Sequence, residues 1–164
     1  IGTPKTFTIT VNPTPVGSAS PQTICDETAS NIALNSTVTG TTYTWSAAIQ
    51  TTPTGGTITG FSDCASACGT SIAQTLTNTG TTSGVVRYTV TPTANGCAGA
   101  PFTVDVTINP TPNAVATPAS QTICSANAIS TIVLSGAVSG TTYAWTRDNT
   151  ASATGIAASG SGNI

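Results

Sequence analysis

Apolar and polar residues alternate with a period of two along several short stretches of this chain. Residues 102–108 read Phe-Thr-Val-Asp-Val-Thr-Ile, residues 7–11 read Phe-Thr-Ile-Thr-Val, and polar residues separate Val86, Tyr88 and Val90. A period of two places successive side chains on opposite faces of a strand, so these stretches predict half-buried antiparallel strands. No segment spaces its apolar residues as a helix does over three turns, and the pattern predicts an all-β fold.

Turn-forming pairs such as Thr39-Gly40 and Asn95-Gly96 separate the predicted strands. Within one domain these strands are Ala19–Cys25, Asn31–Ser36, Thr41–Ser46, Thr57–Phe61, Ile72–Thr77, Gly84–Thr91 and Pro101–Asn109. Seven short strands with a tryptophan on the third are typical of an immunoglobulin-like β-sandwich. Core packing is favoured over an exposed sugar-stacking surface for four aromatic residues: Tyr43, Trp45, Tyr88 and Trp145.

Several motifs occur twice in the chain. They are Asn-Pro-Thr-Pro at 12–15 and 109–112, Gln-Thr-Ile-Cys at 22–25 and 121–124, and Gly-Thr-Thr-Tyr-Xaa-Trp at 40–45 and 140–145. The offsets of 97, 99 and 100 residues predict a tandem domain with a period just under one hundred residues. Residues 1–12 are expected to be the last strand of a preceding copy, residues 13–109 a complete copy, and residues 110–164 the N-terminal part of the following copy.

Each predicted junction between copies contains two prolines. They are Pro13 and Pro15 at the first junction and Pro110 and Pro112 at the second. Proline fixes one backbone dihedral, so these linkers are expected to be semi-rigid joints rather than flexible tethers.

Charged residues are scarce, and their scarcity excludes several functions. Three basic residues stand against five acidic ones, which is too few to neutralise a nucleic acid backbone or to hold an anionic membrane surface. No stretch approaches the roughly 20 apolar residues that span a bilayer, so direct membrane insertion is not expected. There is no histidine and Glu27 is the only glutamate, so no general base stands out and the chain is not expected to be an enzyme.

No cofactor or metal is expected either. Asp26, Glu27 and Asp63 could contribute to a calcium site, which needs six or more oxygen ligands. The second copy has Ser125 and Ala126 in place of the first two of these residues, which argues against a calcium role.

Five cysteines in a Thr- and Ser-rich chain indicate an oxidising, extracellular setting. Cys64 and Cys68 are close enough in sequence to form a local disulfide. A zinc site is the alternative, but two thiols without any histidine form an incomplete ligand set.

The pairing of the other cysteines is open at the level of sequence. Cys25 and Cys97 can be bridged within one copy, or each can bond to a neighbouring copy, with Cys124 as the equivalent of Cys25. In a seven-strand sandwich the first two would lie at opposite poles, roughly 25–30 Å apart. Head-to-tail stacking would instead bring the pole of one copy to the opposite pole of the next.

The repeated motifs, together with Val-Thr-Pro-Thr-Ala-Asn-Gly-Cys at 90–97 and Val-Asp-Val-Thr-Ile-Asn-Pro at 104–110, resemble the PKD-like repeats of giant Bacteroidota surface adhesins. The resemblance covers essentially the whole chain. It implies a PKD-like, immunoglobulin-like fold on the cell surface, export by type IX secretion machinery, and a stalk or adhesive role that includes gliding motility. It implies no catalytic residues.

The sequence therefore predicts a non-catalytic structural repeat of a large surface adhesin or filament. Its expected partners are neighbouring repeats, the type IX secretion machinery and surface polysaccharide or another glycan. The alternative is a carbohydrate-binding accessory module of a secreted enzyme, which would need an exposed aromatic row or a polar cleft.

Overall fold

A computed structural model describes residues 2–66, 68–148, 155 and 157–164. In these residues every regular element is a strand, which confirms the all-β prediction. The strands are β1 (Gly17–Ser18), β2 (Gln22–Cys25), β3 (Thr28–Ala29), β4 (Ile32–Ala33), β5 (Asn35–Ser36), β6 (Thr42–Thr51), β7 (Ile58–Thr59), β8 (Ser71–Ile72), β9 (Thr75–Asn78), β10 (Gly84–Ala94), β11 (Cys97–Ala98), β12 (Phe102–Asn109), β13 (Val115–Thr117), β14 (Val133–Ser135), β15 (Ala144–Thr146) and β16 (Ser159–Ser161).

The largest sheet is organised around β10. Alternate residues of this strand are buried along its whole length, as a strand with one face on a core requires. On one edge β10 pairs antiparallel with β6, and on the other with β12 and β11. β12 then pairs in parallel with β2, so that Ile108 lies opposite Ile24 and Asn109 opposite Cys25.

The facing layer consists of short pairings: β3 and β7 flank β9, β4 pairs with β8, and β1 pairs with β5. The first predicted strand, 19–25, is therefore wrong in its bounds, because the chain forms β1 in this layer and then crosses to the main sheet as β2. The crossing passes through Pro21, which has no amide hydrogen to donate to a strand ladder.

One hydrophobic cluster fills the space between the layers, and all its buried members lie between Ile24 and Ile108. Tyr43, Trp45 and Tyr88 belong to this cluster. Among the described residues, all buried side chains of this core thus lie in one unit of the chain, residues 24–108.

The described residues on either side of this unit lack such a core. Residues 2–12 contain no strand, and Phe7, Ile9 and Val11 are 85%, 75% and 86% exposed. The described residues after 112 form two separate two-stranded sheets, β13 with β14 and β15 with β16. Trp145 is half-buried and its ring packs against Gly160 of β16, and its place in a core stays a prediction.

Local geometry nevertheless recurs at matched positions of residues 13–45 and 110–145. The side chain of Gln22 accepts a hydrogen bond from the amide of Asn31, as that of Gln121 does from Ser130. The hydroxyls of Thr41 and Thr141 donate to the carbonyls of Val38 and Val138. Glu27 and Ala126 both have positive φ angles, of 59° and 68°.

Candidate functional site

The outer edge of β6 is covered by the loop that follows β7. Trp45 and Cys64 exchange both backbone hydrogen bonds, at 2.9 and 2.8 Å, and Asp63 accepts a hydrogen bond from the amide of Ala47 at 2.7 Å. The predicted disulfide between Cys64 and Cys68 is confirmed, and it closes the loop just beyond this contact. Because an uncovered strand edge invites pairing with another chain, the loop protects the edge of the main sheet.

A polar network inside the sandwich holds the same loop. The hydroxyl of Tyr88 donates to Oε1 of Gln74 at 2.8 Å, and this oxygen also accepts from the amide of Ser62 at 3.0 Å. Nε2 of Gln74 donates back to the carbonyl of Ser62 at 2.9 Å. Burial raises the pKa of Tyr88 to about 12 because the ionised phenolate would be poorly solvated.

Sequence reasoning placed Gln74 on a strand but missed its role. The available signal was a glutamine at an inward position, between Ile72 and Leu76 in the same alternation. A polar side chain at such a position needs hydrogen-bond partners inside the protein, since water does not reach it freely.

A shallow groove of about 360 Å³ lies beside the stapled loop. It is lined by Thr44, Trp45, Ser46, Asp63, Cys64, Ala65, Thr89 and Thr91. Its hydroxyl groups could bind a sugar, but Trp45 is only 8% exposed and its indole nitrogen donates to the carbonyl of Ser62. The groove therefore offers no aromatic face on which a sugar ring could stack.

Asp26, Asp63 and Asp105 accept hydrogen bonds within the fold. Asp26 accepts from the amide of Asn78 at 2.7 Å. Asp105 lies opposite Arg87 in the register of β10 and β12 and accepts two hydrogen bonds from it, both at 2.8 Å, and these lower the pKa of Asp105. Glu27 and Ala126 occupy matched turn positions. No group of three metal-ligating side chains forms among the described residues.

The upper pole of the sandwich, where β12 ends, holds the exit of the chain. The amide of Asp26 donates to the carbonyl of Asn109 at 2.9 Å, and Thr111 donates to a carboxylate oxygen of Asp26 at 3.3 Å. Asn78, which is 3% exposed, donates to the carbonyl of Ile108 at 2.9 Å. These contacts attach the first residues of the Pro110–Pro112 linker to the unit that precedes it.

The lower pole, where β10 turns into β11, holds the entry of the chain. Pro15 is fully buried, and the α-carbon of Gly99 packs so closely on its carbonyl oxygen that a side chain there would clash. Asn12 donates to the carbonyl of Asn95 at 3.1 Å. Of the linker prolines, Pro13 is exposed, Pro110 half-buried and Pro112 exposed.

The structure separates the two cysteines whose pairing was open. Cys25 is exposed at the upper pole opposite Asn109, and Cys97 is partly exposed at the lower pole opposite Ala94. The length of β10 puts about 30 Å between these poles. Bridged residues have α-carbons within about 7 Å, so the register does not allow a bond within the copy. Cys124 is an exposed free thiol.

Comparison with known protein families gives one match. Residues 22–112, more than half of the chain, match the family model described as a PKD-like domain. No curated protein and no solved structure matches the chain. Among the described residues, none forms a helix of the length and apolar character needed to cross a bilayer.

Proposed function

The chain belongs to the PKD-like domain family, and from this we propose that it is a stiff spacer module in the stalk of a large cell-surface adhesin. Domains of this family are typically extracellular and non-catalytic. The adhesin, its export by type IX secretion machinery and a role in gliding motility are what the resemblance of the repeated motifs to those of Bacteroidota surface adhesins implies. Neighbouring repeats are the first partner, and a surface glycan bound elsewhere in the protein is the second.

The observation that carries the proposal is the way the linkers are held. The entry linker is anchored in the unit that follows it, through buried Pro15, and the exit linker is tied to the unit that precedes it, through Thr111 and Asp26. Since the two linkers have the same Asn-Pro-Thr-Pro sequence, the two anchors are two halves of one joint. Thr111 is the equivalent of Thr14, which directly precedes Pro15, so the two anchors are adjacent residues of the motif, and a joint this short bends little.

The proposal is tested by small-angle X-ray scattering on chains with one, two and three copies of residues 13–109. A stiff stalk lengthens by a constant increment of about 35–40 Å per copy, which is the height of an 11-residue strand plus the joint. The matched controls are Pro15→Gly, which removes a buried anchor, and Pro13→Gly, which changes an exposed residue of the same linker. We expect the first variant to shorten the three-copy chain more than the second. A maximum dimension that hardly rises with copy number would overturn the proposal.

A further inference from the structure

The two halves of the joint also locate the cysteines of adjacent copies relative to each other. In the complete copy, Asn109 lies opposite Cys25 across parallel strands, one strand spacing of about 4.8 Å away. Asn12 holds the same place in the motif that opens the chain. The equivalent of Cys25 in a preceding copy would therefore lie one strand spacing from Asn12.

Asn12 is itself next to the other unpaired cysteine of the complete copy. Its side chain donates to the carbonyl of Asn95, and Cys97 lies two residues further along the same hairpin. Asn95 and Gly96 form the tight turn of this hairpin, with φ angles of 50° and 78°, so the position of Cys97 follows from that of Asn95. The two steps together place the cysteines of adjacent copies about 10 Å apart, against about 30 Å within a copy.

We propose that Cys25 of each copy forms a disulfide with Cys97 of the next copy, which cross-links the stalk at every joint. This inference rests on the proposed function, because it requires copies in tandem. Both thiols are at least partly exposed, so each is open to a partner on the neighbouring copy. The two thiols lose two electrons and two protons to a disulfide-containing oxidant, which is reduced to two thiols.

The Cys25–Cys97 disulfide differs from the local one in what it joins. Cys64 and Cys68 fasten a loop to its own sheet, whereas the proposed bond fastens one sandwich to another. Cys25, Cys97 and Cys124 are free thiols in this structure, so each is available for a bond of this kind. By the same pattern, Cys124 would bond to the equivalent of Cys97 in the copy that follows its own.

The test uses a two-copy chain in which residues 13–109 precede residues 13–164, so that the junction keeps the Asn-Pro-Thr-Pro sequence. Cys124 is replaced by serine to leave one bonding pattern to detect. The chain is folded in a mixture of oxidised and reduced glutathione, its free thiols are blocked, and it is digested with trypsin without reduction. Arg87 is the only basic residue of each copy, so cleavage after it separates the peptide of Cys25 from that of Cys97.

Each pairing then leaves a different cross-linked pair of peptides. The proposed bond joins the peptide that ends at Arg87 of the first copy to the peptide that begins at Tyr88 of the second. We expect this pair in most of the oxidised chain. A bond within a copy would join peptides that are adjacent in sequence, and that result, or free thiols at both positions, overturns the proposal.

Two serine variants provide matched controls. Cys25→Ser in the first copy removes the proposed bond and should abolish the cross-linked pair, whereas Cys25→Ser in the second copy should leave it intact. Scattering from the same samples separates this inference from the proposed function. An extended chain without the bond overturns only the disulfide, and a chain that is not extended overturns the stalk.

Discussion

Tyr88 is a single side chain that contributes to the stability of both the core and the loop beside it. Its ring is fully buried at the centre of the main sheet, and its hydroxyl reaches Gln74, which in turn holds the loop at Ser62. A buried hydroxyl without a partner would be destabilising by about 1–3 kcal/mol, so the glutamine is what allows tyrosine at this position. The network thus connects the core to the stapled edge of the sheet.

The raised pKa of Tyr88 predicts a loss of stability in alkaline solution. In the unfolded chain tyrosine ionises near pH 10, whereas in the folded protein Tyr88 has a pKa of about 12 and remains neutral up to a higher pH. Its contribution is therefore complete below pH 10 and is lost as the pH rises towards 12. We expect the free energy of unfolding in urea to fall by on the order of 1 kcal/mol between pH 9 and pH 11 on account of Tyr88.

Tyr88→Phe is the control for this pH dependence. The variant loses the hydrogen bond to Gln74 and should be about 1 kcal/mol less stable at pH 7. Its stability should then fall less steeply above pH 9, with a remaining slope from Tyr43, whose pKa burial also raises. Equal slopes for the variant and the parent chain would contradict the assignment.

At the scale of elements, the stapled loop acts as a substitute edge strand for β6. Two backbone hydrogen bonds join Trp45 to Cys64, and Ala47 and the indole of Trp45 donate to Asp63 and Ser62, which is a short attachment for an edge. The disulfide to Cys68 and the hydrogen bonds from Ser62 to Gln74 strengthen it. This cover is important because charged residues normally discourage strand pairing between chains, and this chain has few of them.

Replacing both Cys64 and Cys68 with serine should therefore weaken the protein at this edge. The bond closes a five-residue ring, for which the loss of loop entropy in the unfolded chain amounts to about 2 kcal/mol. Denaturation in urea measures the change, and hydrogen exchange at the amides of Trp45 and Cys64 locates it. Reduction of the parent chain should reproduce the variant, while Cys25→Ser, an exposed free thiol, should change neither measurement. Unchanged exchange at Trp45 would show that the staple does not hold the edge.

The strand alternation predicted the main sheet well and the facing layer less well. β10 and β12 have long, regular alternation, and their bounds lie close to the predicted strands. The sequence could not show that the first strand divides between two layers, because alternation reports which face is buried and not which neighbour a strand pairs with. For the same reason the parallel pairing of Cys25 with Asn109 emerged only from the register.

The candidate site residues differ in the same way: a local feature was predictable from the sequence, and contacts between distant residues were not. The local disulfide was predictable, since four residues of separation leave Cys64 and Cys68 close in any fold. Trp145 was predicted in a core because it repeats Trp45, but a core position also depends on what packs against the ring, which a repeated motif does not report. The anchors of the linker, buried Pro15 and the pair Thr111 and Asp26, depend on contacts between residues far apart in sequence.

At the scale of the whole molecule, the proposed disulfides would change how a stalk of many copies carries tension. Force enters a copy through residue 13 and through Cys97, and leaves it through Cys25 and Asn109. The shortest covalent routes across the copy are then residues 13–25 and residues 97–109, each spanning twelve residues. Such a segment reaches at most about 42 Å when fully extended, little more than the height of the folded copy.

Unfolding a copy inside an oxidised stalk should consequently release almost no length. In single-molecule stretching of a chain with several copies, we expect each event to add less than about 10 Å under oxidising conditions. After reduction, or with Cys25→Ser in every copy, about 97 residues become available and each event should add on the order of 300 Å. Long steps in the oxidised chain, as frequent as those after reduction, would show that no covalent route bypasses the fold. The stalk would then resist force only through its hydrogen bonds and core, because unfolding any copy would lengthen the molecule severalfold at that point.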